Sequence, residues 1–292
     1  MSVMTRMRQR SVGSYLLAVT TTDEEGAPQT VAAATSATLE DGAGAVLRTA
    51  TAGDLTVTAD GMTWAVPAAA MPLLDTYTVT WVGTVGAAAS SWTTIVELVG
   101  GHLFSIAQLR NRDRAYDDAG KYPDDRLAEV RIEVEDTIEA DNAANVAFVP
   151  RGRRAVIDGH GRRSLPLPDL EAREVYSATV DGVALTQDEL DALVVDDGWL
   201  WMPAGRCWPA GKQNVSVHYA HGRDWPDPAI RRAALTLARE YLAPGDLPGR
   251  ASATTVGDQT FRLTIAGRDG VTGLPEVDAA ITQHGRTTLR IG

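Results

Sequence analysis

Cysteine occurs once in these 292 residues, at Cys207. A single thiol closes no intrachain disulfide and builds no thiolate metal cluster, so packing must hold the fold. Lysine occurs only at Lys121 and Lys212, and the net charge of −11 argues against a protein whose main task is gripping nucleic acid phosphates. No apolar run approaches the roughly 20 residues that a membrane span requires. The basic start, MSVMTRMRQR, precedes an apolar core too short for a signal peptide, so the expectation is a protein not secreted by its own signal. Catalytic fingerprints are missing too: there is no G-x-x-x-x-G-K-[ST], no G-x-G-x-x-G and no G-x-S-x-G.

The residues that could carry chemistry are few. Of five histidines, His218 and His221 stand closest, but on a strand residues three apart point to opposite faces, which is not a metal-ligating arrangement. Asp117, Asp118, Asp124 and Asp125 form the densest carboxylate group, in a charged linker and at a helix start, where solvation is sufficient. Cys207, between Arg206 and Trp208, has no context for a nucleophile. The expectation is a protein without catalytic residues, cofactor or bound metal. One basic cluster, Arg151, Arg153, Arg154, Arg162 and Arg163, brackets the turn D-G-H-G at 158–161. It suits either an ion-paired loop base or contact with a partner or a passing DNA backbone.

What is present is patterning, in a chain 44% apolar and 22% charged, as expected for packed domains. Residues 1–13 read as a basic tail. From 14 to 100 the sequence is short β-prone runs (15–20, 30–39, 45–49, 55–58, 63–66, 77–82 and 93–99) separated by turns such as Asp41-Gly42 and Asp60-Gly61, which predicts an antiparallel sandwich. In D-T-Y-T-V-T-W, Tyr77, Val79 and Trp81 alternate in phase, resembling the tyrosine corner of immunoglobulin-like domains. Trp64 and Trp92 are expected in its core. Residues 101–121 read as a linker.

Beyond it, Leu127, Val130, Val134 and Ile138 recur at helical spacing after Pro123-Asp124-Asp125, and Ile230, Ala234, Leu237 and Tyr241 do so after Pro228. The spacing predicts two helices, 124–140 and 227–243, packed face to face across a β-rich insertion. Within it, 155–157 and 163–167 are expected to pair as a hairpin about D-G-H-G, and 175–180 with 183–185 about Asp181-Gly182. Residues 122–250 are expected to form one domain, and 251–292 an arm. There Phe261, Leu263 and Ile265 offer one apolar edge for strand addition to a neighbour, with Val277 and Ile281 of a short helix at 275–284 as its anchor.

The order of pieces, Y-P-D-D-R-L-A-E-V-R-I-E-V-E-D-T-I, then V-A-F-V-P-R, V-D-G-V-A-L, V-H-Y-A-H-G, P-A-I-R-R-A-A and G-V-T-G-L-P-E-V-D-A-A-I, resembles the head-to-tail connector, or adaptor, proteins of long-tailed double-stranded DNA phages. The resemblance spans about residues 121–283. It implies an α+β connector domain with a helical core, β insertion and extended arm; the first 100 residues depart from the family, and their strand pattern reads as an added immunoglobulin-like domain, making a multi-domain chain. The implied role is a structural virion protein at the neck. It would assemble in the host cytoplasm into a homo-oligomeric ring, twelve-fold in relatives, between the portal protein and a tail-side neck or stopper protein. DNA would pass through without sequence-specific binding, and no membrane is involved. A sandwich that binds a glycan or host envelope component is the competing expectation.

Overall fold

In the computed structural model the described residues are 3–22, 29–243, 253–256, 259–262 and 270–285. The chain is β-rich, with several sheets in more than one body. The first eight strands are β1 (Val3–Arg8), β2 (Ser14–Thr20), β3 (Ala33–Glu40), β4 (Val46–Thr51), β5 (Leu55–Thr58), β6 (Gly61–Pro67), β7 (Thr76–Val85) and β8 (Ala88–Val99). They form two sheets, ordered β1-β8-β7-β3-β4 and β2-β6-β5, with β1 parallel to β8 and the remaining pairs antiparallel. Period-2 alternation sends Tyr77, Val79 and Trp81 of β7 inward, where they meet Leu17, Met62, Trp64 and Val66 from the other sheet. The Tyr77 hydroxyl donates to the Leu73 carbonyl at 2.8 Å, and burial pushes this phenol above its ordinary pKa. Trp64 is in the core and Trp92 packs half-buried against it.

The N-terminal stretch is a correction. Residues 3–8 are not a tail but an edge strand, in register with residues 94–99 of β8. The apolar period that would have announced it is missing because β1 turns Met7 toward the sandwich core and buries an arginine, Arg6, on its other face. Its guanidinium is neutralised by Glu97 at 2.6 Å, the residue opposite it in the ladder.

Two helices follow, α1 (Ile106–Arg110) and α2 (Asp124–Glu139). Ser105 and Gln108 close a capping box on α1. α2 starts where Pro123 presets φ and Asp124 and Asp125 complement the helix dipole.

The chain then enters β9 (Arg151–Gly159), β10 (Ser164–Pro166), β11 (Ala172–Val180), β12 (Val183–Ala184), the single-turn α3 (Gln187–Asp191), β13 (Val194–Asp196), β14 (Trp199–Trp201) and β15 (Gly211–His221). One sheet has the order β12-β11-β15-β9 and the other β10-β14-β13. They enclose Leu165, Leu200, Val215, Val217 and Trp208. Asp181 (φ 51°) and Gly182 (φ 80°) make the tight β11–β12 turn as expected. The D-G-H-G hairpin is overturned: β9 pairs with β15 and β10 with β14, so residues 160–163 cross between sheets. Alternation specifies which face a strand buries and leaves its partner open.

After β15 come α4 (Pro228–Leu242), the antiparallel hairpin β16 (Ala253–Val256) and β17 (Gln259–Arg262), and α5 (Pro275–His284). Leu127, Val130, Val134 and Ile138 of α2 share one core with Ile230, Ala234 and Leu237 of α4. Tyr241 borders it, its hydroxyl 3.1 Å from that of Thr137. Val277 and Ile281 belong to the same core, and His284 Nδ1 lies 3.1 Å from Asp227 Oδ2 at the start of α4. This corrects the reading of Val277 and Ile281 as partner-binding anchors: their i, i+4 spacing is answered within their own unit.

Two compact units result. One joins residues up to Gly101 with Pro150–His221; the other joins His102–Val149 with the chain from Gly222 on. The insertion therefore groups with the sandwich, where a single body over 122–250 was expected. Leu237 is 1% exposed, and Leu237→Ala is expected to cost about 2–5 kcal/mol through the cavity it leaves, measured by urea unfolding.

Candidate functional site

The chemistry of the first unit concentrates on β9, whose sequence R-G-R-R places charge on both faces of a strand. Gly152 and Arg154 share one face, and the ladder sets His218 of β15 opposite Arg154. This face meets the corner Leu74-Asp75 that precedes β7. A Cβ at Gly152 would lie 1.8 Å from the Leu74 carbonyl oxygen, so only glycine permits the approach.

Arg154 supplies the central cation. Its Nη2 donates to Asp75 Oδ2 at 2.8 Å and to Asp41 Oδ2 at 2.9 Å, and its Nε to Asp75 Oδ2 at 3.1 Å. Asp75 also accepts from the amides of Gly42 and Thr76, and Asp41 from those of Ala43 and Ala45. Burial opposes the guanidinium charge, but the hydrogen bonds and charge of Asp75, reinforced by Asp41, outweigh it and raise the Arg154 pKa. His218, 3% exposed, donates from Nε2 to the Leu74 carbonyl at 3.0 Å, with the Tyr176 ring packed edge-on. Desolvation is the largest influence on this histidine and lowers its pKa against the pull of Asp75, so the imidazole is neutral. Burial likewise pushes Tyr176 up to about 12.

Two further carboxylates each gather cations. Glu97 accepts from Arg6 Nε at 2.6 Å and Arg151 Nη1 at 2.9 Å, joining β1, β8 and β9. On the opposite face of β9–β15, Asp169 accepts from the Tyr219 hydroxyl at 2.6 Å and Arg153 Nη1 at 2.9 Å, with His221 Nδ1 at 3.6 Å. Burial first, and the bond to Asp169 second, raise the Tyr219 pKa. Burial lowers that of His221. His218 and His221 thus face different carboxylates across one strand, as three-residue spacing requires. No group of metal-ligating side chains occurs among the described residues.

These constellations are saturated acceptors bound to fixed cations, an arrangement that fastens elements together. The expected basic cluster divides accordingly. Arg151, Arg153 and Arg154 make ion pairs within the unit, the ion-paired alternative for this cluster. Arg163 donates from Nε to the Met202 carbonyl at 2.6 Å, and Arg162 stands exposed. In the arm, Phe261 lies on β17, while Leu263 and Ile265 lie outside the described residues. Asp41, Asp75, Glu97 and Asp169 went unmarked in the sequence. Asp41 read as a turn residue and Asp75 as the residue before an alternating strand, and nothing local signals a partner 79 or 113 positions away.

No family model matches the chain, and no curated protein matches it. Among solved structures, Drosophila OTK, extracellular domains 3–5, aligns over 76% of this chain at 10% identity with a TM-score of 0.16. The chain spans 62% of that structure's length, and a superposition so loose carries no information on fold or role.

Arg154→Ala leaves Asp75 buried beside a vacated cation, and the first unit is expected to lose about 3–5 kcal/mol, measured by chemical denaturation. His218 sets a pH dependence. Its folded pKa lies below the ordinary 6.5, so as pH falls through 6.5 the unfolded chain takes up a proton that the folded chain refuses, and stability declines. Melting temperature is expected to drop over that window, and to drop less in His218→Gln. Parallel curves for the two proteins would refute the assignment.

Proposed function

We propose that the chain is a structural virion protein, a head-to-tail connector that forms a ring beneath the portal of a long-tailed phage and continues its DNA channel. The observation that carries this reading is the pairing of α2 and α4 in one core around an excursion, residues 150–221, that groups elsewhere. A return helix, α5, follows a hairpin in the region of the expected arm. That is the succession of pieces on which the resemblance rests.

On this reading the second unit is the helical part of the connector domain. The first unit is an immunoglobulin-like sandwich fused to the connector's own β insertion. The strand order β1-β8-β7-β3-β4 facing β2-β6-β5 supports the immunoglobulin-like assignment, as does the Tyr77 hydroxyl bond to the backbone four residues upstream. The acidic balance of −11 suits a channel through which DNA must slide, since a strongly basic lining would hold the strand. The role is mechanical, with the portal and a tail-side neck protein as partners. The saturated carboxylates of the first unit support it by keeping insertion and sandwich together under load.

The test is assembly. Full-length protein, alone and mixed with the portal protein encoded in the same genome, is expected to give ring particles by electron microscopy and a discrete oligomer by sedimentation velocity. A monomer in both samples, with no portal complex, would defeat the reading.

A further inference from the structure

The β10-β14-β13 sheet of the first unit turns Leu165, Leu200 and Val195 inward. Its pleat therefore puts Trp199 and Trp201 together on the outer face. The ladders set Pro166 and Asp196 on either side of Trp199, and Ser164 and Val194 on either side of Trp201. Trp199 is 43% exposed and Val194 55%; Pro166 and Asp196 are also exposed, and Trp201 is half-buried. Neither of these tryptophans is needed to fill the core behind the sheet. That place belongs to Trp208, whose Nε1 donates to the Leu200 carbonyl at 3.1 Å. The indole N–H groups of Trp199 and Trp201 and the carboxylate of Asp196 make no hydrogen bond or ion pair among the described residues.

Size and charge narrow what could cover this face. Three strands about 4.8 Å apart, each contributing three residues at about 3.4 Å, give a platform of about 14 by 10 Å. That is a small fraction of the roughly 800 Å² per partner that a stable protein–protein contact buries. Within two residues of the face along the chain stand Asp196 and Asp197 at the Trp199 end, and Arg162 and Arg163 at the Trp201 end. Two charges of each sign suit neither a polyanion nor a polycation. The two tryptophans stand in line on one strand, about 7 Å apart along it. This is a row, whereas a polyproline helix enters a groove lined by aromatics.

We infer that the outer face of this sheet binds a neutral, extended glycan, a β-linked hexose chain laid along β14 with sugar rings on Trp199 and Trp201. A pyranose has an apolar C–H face that covers an indole and a rim of hydroxyls around it, and tryptophan offers an apolar body with one polar handle to match. Asp196 accepts from sugar hydroxyls beside Trp199 in charge-assisted bonds. The indole N–H groups donate to sugar oxygens, and the Ser164 hydroxyl serves the Trp201 end. A β-linked chain stays extended along such a row, and an α-linked chain curls off it. The inference is independent of the ring reading, which uses none of these residues.

The experiment titrates the full-length protein by isothermal titration calorimetry with cellohexaose and chitohexaose, and with maltohexaose as the α-linked control. At least one β-linked probe is expected to bind, and to bind more tightly than maltohexaose. Its affinity is expected to be unchanged, within about twofold, between about 0.1 M and about 0.5 M salt, because no phosphate takes part. Trp199→Ala is expected to weaken it by about tenfold, and Asp196→Ala by about threefold or more. Trp225→Ala removes a tryptophan of the other unit that is 72% exposed, and is expected to change nothing. Melting curves check the fold of each variant, and Trp199, already exposed, can be truncated without opening the core. Absence of binding by both β-linked probes at millimolar concentration would overturn the inference. So would binding that survives Trp199→Ala combined with Trp201→Ala. Tryptophan-dependent capture of a proline-rich peptide, or tryptophan-dependent self-association, in place of sugar binding would reassign the face and overturn it as well.

Discussion

The ion triple of Arg154 with Asp75 and Asp41 is the constraint on which the first unit depends. A guanidinium has a planar array of donors, and here it reaches two carboxylates that hold different loops, the β3–β4 turn and the corner before β7. Both carboxylates are already fixed by backbone amides, so little side-chain freedom is lost when the pair forms. A buried ion pair is seldom a large net source of stability, yet removing Arg154 strands the charge of Asp75, whose side chain is almost wholly buried. Its effect is to make one docking geometry far better than its neighbours.

That geometry explains how a chain can leave a sandwich, build a helix, return and leave again. Gly152 lets the strand lie directly against the Leu74 carbonyl, and His218 completes the contact from the neighbouring strand. Glu97 adds a second fastening through Arg6 and Arg151. The helical unit is assembled from the segments left over, with α2, α4 and α5 contributing to one apolar core. Each unit is thus discontinuous in sequence, and each crossing between them is a short connection, at Gly101–His102, Val149–Pro150 and His221–Gly222.

Once these internal pairs are made, some cations of the insertion are left at the surface. The insertion's arginines divide by position along one strand and its following loop. Those on β9 face carboxylates and are consumed, and those past the D-G-H-G crossover are left outward with Lys212. A residue type by itself does not distinguish these fates, and neither does spacing.

Local sequence determined the elements. The alternation of Tyr77, Val79 and Trp81 specified a strand and its buried face. The 3.6-residue stripes of α2 and α4 specified helices and the faces they bury, and Asp181-Gly182 specified a turn, because each depends on neighbours within a few positions. Tertiary structure alone decided that residues 3–8 are a strand, since one of its buried side chains is an arginine made acceptable by Glu97, some ninety positions on. It alone decided that β9 pairs with β15 in place of β10, and that the insertion groups with the sandwich. Hydrogen-bond ladders and ion pairs between distant segments carry no local period. Their selection is settled by which pairing buries the apolar faces and leaves no charge unanswered.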